Sequence, residues 1–253
     1  MSGATPAPEL PSSAERHPST RLLRRLRRPA AALVRRRWPV EVHHAGRVPD
    51  AGGVVLAANH VGAIDGPLLA VFAPRPVHAL TKEEMFAGRL AGLLHASGQI
   101  PLDRFNPDPG AIRTSLRVLR DGGVVGIFPE GTRGDGQLHR FHHGAAYLAL
   151  VTGVPVVPVT MIGTRPAGGG TNALPVRGER IDIVVGRPWR TTQQPWPRTR
   201  EHVAATSVLL RGHMLSELAT ALADTRRSLP GPLPAGQSED DPDTGLVEPS
   251  REL

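Results

Sequence analysis

The chain has 253 residues, with 30 basic side chains against 23 acidic, a formal charge of +7, and a single lysine, Lys82. It holds no cysteine, which excludes disulfides, a thiolate nucleophile and a cysteine zinc site. The basic balance calls for an anionic partner, while one Tyr, five Phe and three Trp with no aromatic-interleaved basic strand exclude nucleic acid as that partner.

Residues 1–20 are rich in Pro, Ser, Ala and Gly and lack the apolar core of a secretory signal; they read as a disordered tail. Residues 21–38 follow, with eight arginines and no acid. Leu22, Leu23 and Leu26 share a helical face, Pro29 interrupts or kinks the helix, and Leu33, Val34 and Trp38 continue the apolar stripe. This is the pattern of a basic amphipathic segment lying on an anionic membrane, the alternative being a solvated basic arm. No stretch is apolar enough to span a bilayer, so the expected location is peripheral, on the cytoplasmic face of the cell membrane.

From Val40 onward strands and helices alternate. Strands are expected at Val40 to His44, Gly53 to Ala58, Pro76 to Leu80, Gln99 to Leu102, Val124 to Phe128, Pro155 to Met161 and Arg180 to Val185. Helices are expected at Gly66 to Phe72, Glu83 to His95, Gly110 to Arg120, Gly144 to Val151 and His202 to Ala223. The alternation predicts one α/β domain over 39–228, with a mostly parallel central sheet flanked by helices. Residues 229–253, with several Pro and Gly and the acidic cluster Glu239-Asp240-Asp241, read as a second disordered tail.

One stretch carries chemistry. Ala58-Asn59-His60-Val61-Gly62-Ala63-Ile64-Asp65-Gly66 lies between an apolar strand and an opening helix, which places His60 at the carboxyl edge of the sheet. A carboxylate five residues on can take the proton of one imidazole nitrogen and leave the other basic, which makes a general base. Taken alone, Asp65 could equally cap the helix and His60 be a surface loop residue. The paired histidines at 43–44 and 142–143 point apart on a strand and do not match metal-ligand spacing, so no metal is expected.

Three further stretches fall at or behind strand ends: Gly98-Gln99-Ile100-Pro101-Leu102-Asp103-Arg104, Phe128-Pro129-Glu130-Gly131-Thr132-Arg133 and Val154-Pro155-Val156-Val157-Pro158-Val159. In this order and spacing, with Asn59-His60 and Asp65, the chain from about Val40 to Val185 resembles the 1-acylglycerol-3-phosphate acyltransferase family of glycerolipid acyltransferases. The resemblance implies transfer of a fatty acyl group from acyl-CoA or acyl carrier protein to a hydroxyl of a lysophospholipid, with no further cofactor and no acyl-enzyme. It assigns His60 as general base, Asp65 as its orienting partner, and an acceptor-phosphate site at Arg104 and the Glu130 to Arg133 region, with Lys82 upstream.

The residue chemistry agrees with that assignment. Arg104 can grip a phosphate bidentately, Lys82 adds a point charge, Gly131 permits close approach and Thr132 offers a hydroxyl and an amide. Glu130 is expected to hold an arginine or a substrate hydroxyl. Backbone amides near the helix start after His60 are candidate oxyanion donors.

The chain departs from the family pattern at Gly62, where Ser or Gln is frequent, at Gly66, where an aromatic is frequent, and at Gly134-Asp135 and His142-His143. These departures bear on the acceptor. Another lysolipid, an amino-acid-derived lipid, water as in a thioesterase, or a non-catalytic membrane-binding homologue are the alternatives to 1-acylglycerol-3-phosphate.

Overall fold

Val54-Val55-Leu56-Ala57-Ala58 is apolar on both faces, and a strand of that composition is stable only where both faces are covered. It forms β2 (Val54–Ala58), wholly buried near the middle of a seven-stranded sheet. The structure, a computed structural model, describes residues 12–237 and 245–247. Across the sheet the order is β1 (Val40–His43), β8 (Ile181–Val185), β7 (Val156–Ile162), β2, β5 (Val124–Ile127), β3 (Val77–Lys82) and β4 (Ile100–Leu102). Five neighbouring strands, from β7 to β4, run parallel; β8 is antiparallel to β7, and β1 is parallel to β8. The expected mostly parallel sheet is therefore present.

Strand pleating sends alternate β2 residues to opposite layers. Val54, Leu56 and Ala58 pack with Leu68, Leu69 and Phe72 of α2 (Asp65–Phe72) and with Trp38, which follows α1 (Arg21–Arg37). Val55 and Ala57 pack with α4 (Pro109–Arg120), α5 (Gly144–Thr152) and α6 (Arg200–Thr225). Helix α5 is apolar on nearly all sides because it lies between the sheet and the outer helices α4 and α6. Helix α4 is amphipathic as expected, with Leu116 and Leu119 buried; Asp108 caps its start through Ala111 N–H at 2.9 Å, and Gly122 at φ +74° follows its end.

Two expectations about helices need correction. Glu83 to His95 is not one helix: a 3-10 turn (Glu83–Phe86) is separated from a short α3 (Ala91–Ala96). Gly88 and Gly92 weaken helix continuity, and Met85, Leu90 and Leu93 stay exposed, so no buried face holds the segment together. Helix α1 runs through Pro29 rather than stopping there, and part of its apolar stripe faces the domain, since Leu23 is buried and Val34 packs on the core.

The expected disordered tails are drawn onto the domain where they are described. Ala14 N–H donates to Arg113 O, the Arg117 guanidinium donates to Glu15 O, and the His17 ring meets His78 edge-on at 5.1 Å. At the other end β9 (Leu246–Val247) pairs antiparallel with β6 (Arg140–Phe141). Residues 1–11 and the acidic cluster at 239–241 lie outside the described residues. Among the described residues no helix is long and apolar enough to cross a membrane.

Candidate active site

The carboxyl ends of β2, β5, β3 and β4 open on one edge, and the sequence singled out residues at each of them. At the end of β2 the chain must leave its ladder with β7, which would orphan the Met161 backbone. Asn59 prevents this: its side-chain Oδ1 accepts from Met161 N–H at 2.7 Å and its Nδ2 donates to Met161 O at 3.2 Å. That clamp fixes where the next residue, His60, starts.

His60 Nδ1 lies 2.9 Å from Asp65 Oδ2. A carboxylate only accepts, so Nδ1 carries the proton and Nε2 is left basic. The same Asp65 oxygen accepts from Val61 N–H at 2.6 Å and Gly62 N–H at 2.8 Å, so a fully buried carboxylate is held by its own loop. This narrows the candidate oxyanion donors: the first two amides after His60 are spent on Asp65. The imidazole stacks on Phe128 with ring centroids 4.3 Å apart, and 17% of the side chain remains exposed.

Glu130 turns inward: its carboxyl is buried and Oε1 accepts the His60 backbone N–H at 2.7 Å. Burial pushes its pKa up to about 8, outweighing the hydrogen bonds from the His60 and Leu138 amides and aided by the nearby charges of Asp135 and Asp65. Glu130 therefore belongs with His60, as the group that fixes its main chain.

Gly131 sits at φ +74° with its N–H on Phe128 O at 3.0 Å, a tight turn that a side chain would strain. Its carbonyl accepts from Arg104 Nη1 at 3.3 Å, so the guanidinium reaches back from behind β4 toward β5. Lys82 ends β3 in register with Leu102, two residues before Arg104. The structure thus brings His60, Asp65, Glu130, Gly131 and Arg104 into one hydrogen-bonded chain, with Lys82 on the same edge. Thr132 is part-exposed in the same loop. Arg133 turns elsewhere, donating to Thr171 O at 3.1 Å and Asn172 Oδ1 at 3.0 Å in the loop behind β7.

The residue that sequence reasoning missed is Arg165. Buried just past β7, it donates to Val61 O at 3.1 Å, Gly134 O at 3.1 Å, Gly169 O at 2.6 Å and Gly231 O at 2.6 Å. One guanidinium thereby ties the His60 loop, the Glu130 loop and the C-terminal segment together. Nothing in the sequence marks it among so many arginines, because its partners are all backbone carbonyls. Its neighbour explains Gly62: any Cβ there would collide with the Thr164 carbonyl. Gly66, by contrast, has open space around it.

A second cluster lies further along the sheet, where β8 begins opposite Ile162 at the end of β7. Glu41, His43 and Asp182 bring ligand atoms within 4.8 Å of one another. Asp182 is buried and already takes His43 Nε2 at 2.8 Å and Arg180 Nε at 3.0 Å, with Arg227 at 3.9 Å. It is an ion-pair network in which a divalent ion would have to displace a guanidinium.

The comparisons with known proteins agree with this geometry. A family model described as Acyltransferase matches residues 39–162. The chain is 31% identical over 176 residues to 1-acyl-sn-glycerol-3-phosphate acyltransferase of Bacillus subtilis (strain 168), covering 69% of this chain and 85% of that protein. It is 33% identical over 124 residues to the human 1-acyl-sn-glycerol-3-phosphate acyltransferase beta, spanning 47% of this chain and 45% of the human one. The fold is shared with the crystal structure of PlsC, the 1-acyl-sn-glycerophosphate acyltransferase of Thermotoga maritima, at a TM-score of 0.58 and 19% identity over 80% of this chain and 79% of that one. With its motif residues gathered on one sheet edge and most of the Bacillus protein matched, the chain belongs to the 1-acyl-sn-glycerol-3-phosphate acyltransferase family, a family of O-acyltransferases.

Proposed function

We propose that the protein transfers a fatty acyl group from an acyl thioester, carried by coenzyme A or acyl carrier protein, to the free hydroxyl of 1-acylglycerol-3-phosphate, giving phosphatidic acid. The observation that carries this reading is the imidazole held by Asp65 at 2.9 Å, with its second nitrogen unpartnered among the described residues, on the edge that also presents Arg104. His60 Nε2 takes the proton of the acceptor hydroxyl as its oxygen bonds to the thioester carbonyl carbon. The tetrahedral adduct then collapses, the carbon–sulfur bond breaks, and the departing thiolate takes that proton back from Nε2. No acyl-enzyme is required.

The acceptor is amphiphilic, and so is this edge. Arg104 and Lys82 supply charge for a phosphate monoester. Beside them Met85, Leu90, Leu93 and Phe105 leave large apolar surfaces exposed, which suits the acyl chain or the lipid around it. Contact with an anionic membrane surface is part of the same reading. On α1, Leu26 is 45% and Leu33 67% exposed, on a side of the helix that does not pack on the core.

A panel of lysolipids offered with one acyl-CoA, with products identified by mass spectrometry, tests the acceptor: phosphatidic acid from 1-acylglycerol-3-phosphate is expected. Acyl-CoA cleavage at the same rate without any acceptor would instead mark a thioesterase. Arg104→Ala should raise KM for the phosphate-bearing acceptor roughly tenfold or more, the loss of one charge-assisted contact. An unchanged KM would remove Arg104 from the acceptor site.

A further inference from the structure

The opposite edge of the sheet holds a cavity of about 820 Å³. It lies against the segments that precede β2, β3 and β5, where Asp50, Pro76 and Gly122 line it, so the full length of the parallel strands separates it from His60. Its walls carry Arg24, Arg27, Arg28 and Arg35 from one flank of α1, and Arg75 from the loop before β3. Two acids, Asp50 and Asp121, also line it, and Asp121 is already held by Arg117 Nε at 2.8 Å.

Three of these guanidiniums are fixed in place. Arg75 donates to Pro49 O and Gly52 O, each at 2.9 Å, and to Gly122 O. Arg27 Nε donates to Val71 O at 3.3 Å, and Arg35 lies 4.8 Å over the Phe72 ring. Arg24 and Arg28, one helical turn apart, have no carboxylate partner among the described residues. Like charges gathered around a concavity, with some donors anchored and others unpaired, store an attraction for an anion. Arg27 and Arg35 help seat α1 on α2 beside Leu23, Val34 and Trp38, whereas Arg24 and Arg28 take no part in that packing.

His78 narrows the chemistry. It is buried in the cavity wall, its Nδ1 lies 2.6 Å from Gly98 O, and its Nε2 is buried with no partner. A carbonyl can only accept, so Nδ1 carries the proton; burial holds the ring below its usual pKa and keeps it neutral. Nε2 is therefore an unpartnered acceptor in a wall that also carries arginine donors. Sulfate or a phosphodiester offers it nothing, whereas a phosphate monoester brings both negative oxygens for the arginines and a P–OH for the imidazole.

We propose that this cavity is a binding site for a phosphate monoester group, separate from the acceptor site at Arg104. The group is either a free phosphate or the head of a lipid such as phosphatidic acid. Both present the same chemistry, and the test separates them.

Inorganic phosphate, with sulfate in parallel, is titrated into the full chain by calorimetry. In a second arm the protein is sedimented with phosphatidylcholine vesicles containing equal charge as phosphatidic acid or as phosphatidylglycerol. Arg24→Glu/Arg28→Glu reverses two of the five cavity arginines; Arg21→Glu/Arg25→Glu changes as much charge on the same helix outside the cavity; Arg104→Ala empties the acceptor site. The expected result is that the cavity variant loses one of two phosphate sites, or lowers the ratio of phosphatidic acid to phosphatidylglycerol binding by roughly tenfold or more, while Arg21→Glu/Arg25→Glu leaves that site and that ratio unchanged and Arg104→Ala removes only the other site. Whichever arm shows that loss identifies the source. Arg24→Gln/Arg28→Gln serves the same purpose if charge reversal disturbs folding. The proposal is overturned if neither ligand distinguishes the cavity variant from Arg21→Glu/Arg25→Glu, if Arg104→Ala alone abolishes binding, or if sulfate and phosphatidylglycerol bind as well as their monoester counterparts.

Discussion

Asp65 Oδ2 accepts three hydrogen bonds, and that crowding determines what a substitution there does. In Asp65→Asn one amide oxygen must serve the imidazole and two backbone amides, while a new NH2 group meets a buried position with no partner for it. The His60 tautomer is no longer enforced, so kcat should fall by about 10²–10⁴-fold with KM nearly unchanged. Steady-state kinetics on protein of native circular dichroism checks this. Glu130 leads to a pH prediction. Its carboxyl titrates near 8 when folded against an ordinary value of 4.5, so its contribution to stability is whole below about pH 4.5 and is lost as pH rises through about 8. Glu130→Gln cannot ionise. Relative to wild type it should therefore become progressively more stable between pH 5 and pH 8, by on the order of a few kcal/mol at most, measured by denaturant unfolding at each pH. A stability difference that does not change over that range would mean Glu130 is not buried as a neutral acid.

At the scale of elements, the site is a set of loop ends stitched by side chains to backbone. Arg165 is the largest stitch, reaching one carbonyl of its own loop and one on each of three other segments. Lysine keeps the charge but lacks the fork, so Arg165→Lys leaves at least one buried carbonyl unpaired and should cost about 1–3 kcal/mol in stability. Because Val61 O is among them, kcat should drop as well, with KM for the acceptor changed less. Gly62→Ser should also destabilise, since the Thr164 carbonyl occupies the space its side chain needs. The elements themselves were largely legible: buried parallel strands are apolar runs, opened by glycine at β2 and β5, and β2, β5 and β7 stand within a residue or two of the expected bounds. So were the pairing of His60 with Asp65 and the place of Arg104 behind β4, which follow from their spacing after strand ends. Arg165, the Glu130 bond to the His60 amide and the use of the Val61 and Gly62 amides were not, since partners on the backbone leave no pattern in the side-chain sequence. The split before α3 was missed for another reason: its apolar residues have helical spacing but face solvent rather than a core.

Across the whole molecule, helix α1 faces three ways. Leu23, Val34 and Trp38 join the core, the Arg24 flank lines the cavity at the amino edge of the sheet, and Leu26 with Leu33 faces out. Removing the segment would therefore unseat part of the core, and it is a poor test of membrane contact. Leu26→Asp/Leu33→Asp leaves the packed face intact and should release the protein from anionic vesicles with little change in melting temperature. Sedimentation equal to wild type would take that face out of membrane contact. The strand order was not legible in the sequence, yet it is what places the ends of β2, β5 and β4 close enough for Arg104 to reach Gly131 and Glu130 to reach His60. That convergence makes the central claim a claim about one imidazole. The most direct measurement is the rate of coenzyme A release from an acyl-CoA in the presence of 1-acylglycerol-3-phosphate, by the wild type and by folded His60→Ala. Acceptor-dependent turnover that falls by at least about 10³-fold in the variant is the predicted result. Turnover that survives the loss of His60, or a wild type whose release ignores the acceptor, would contradict it.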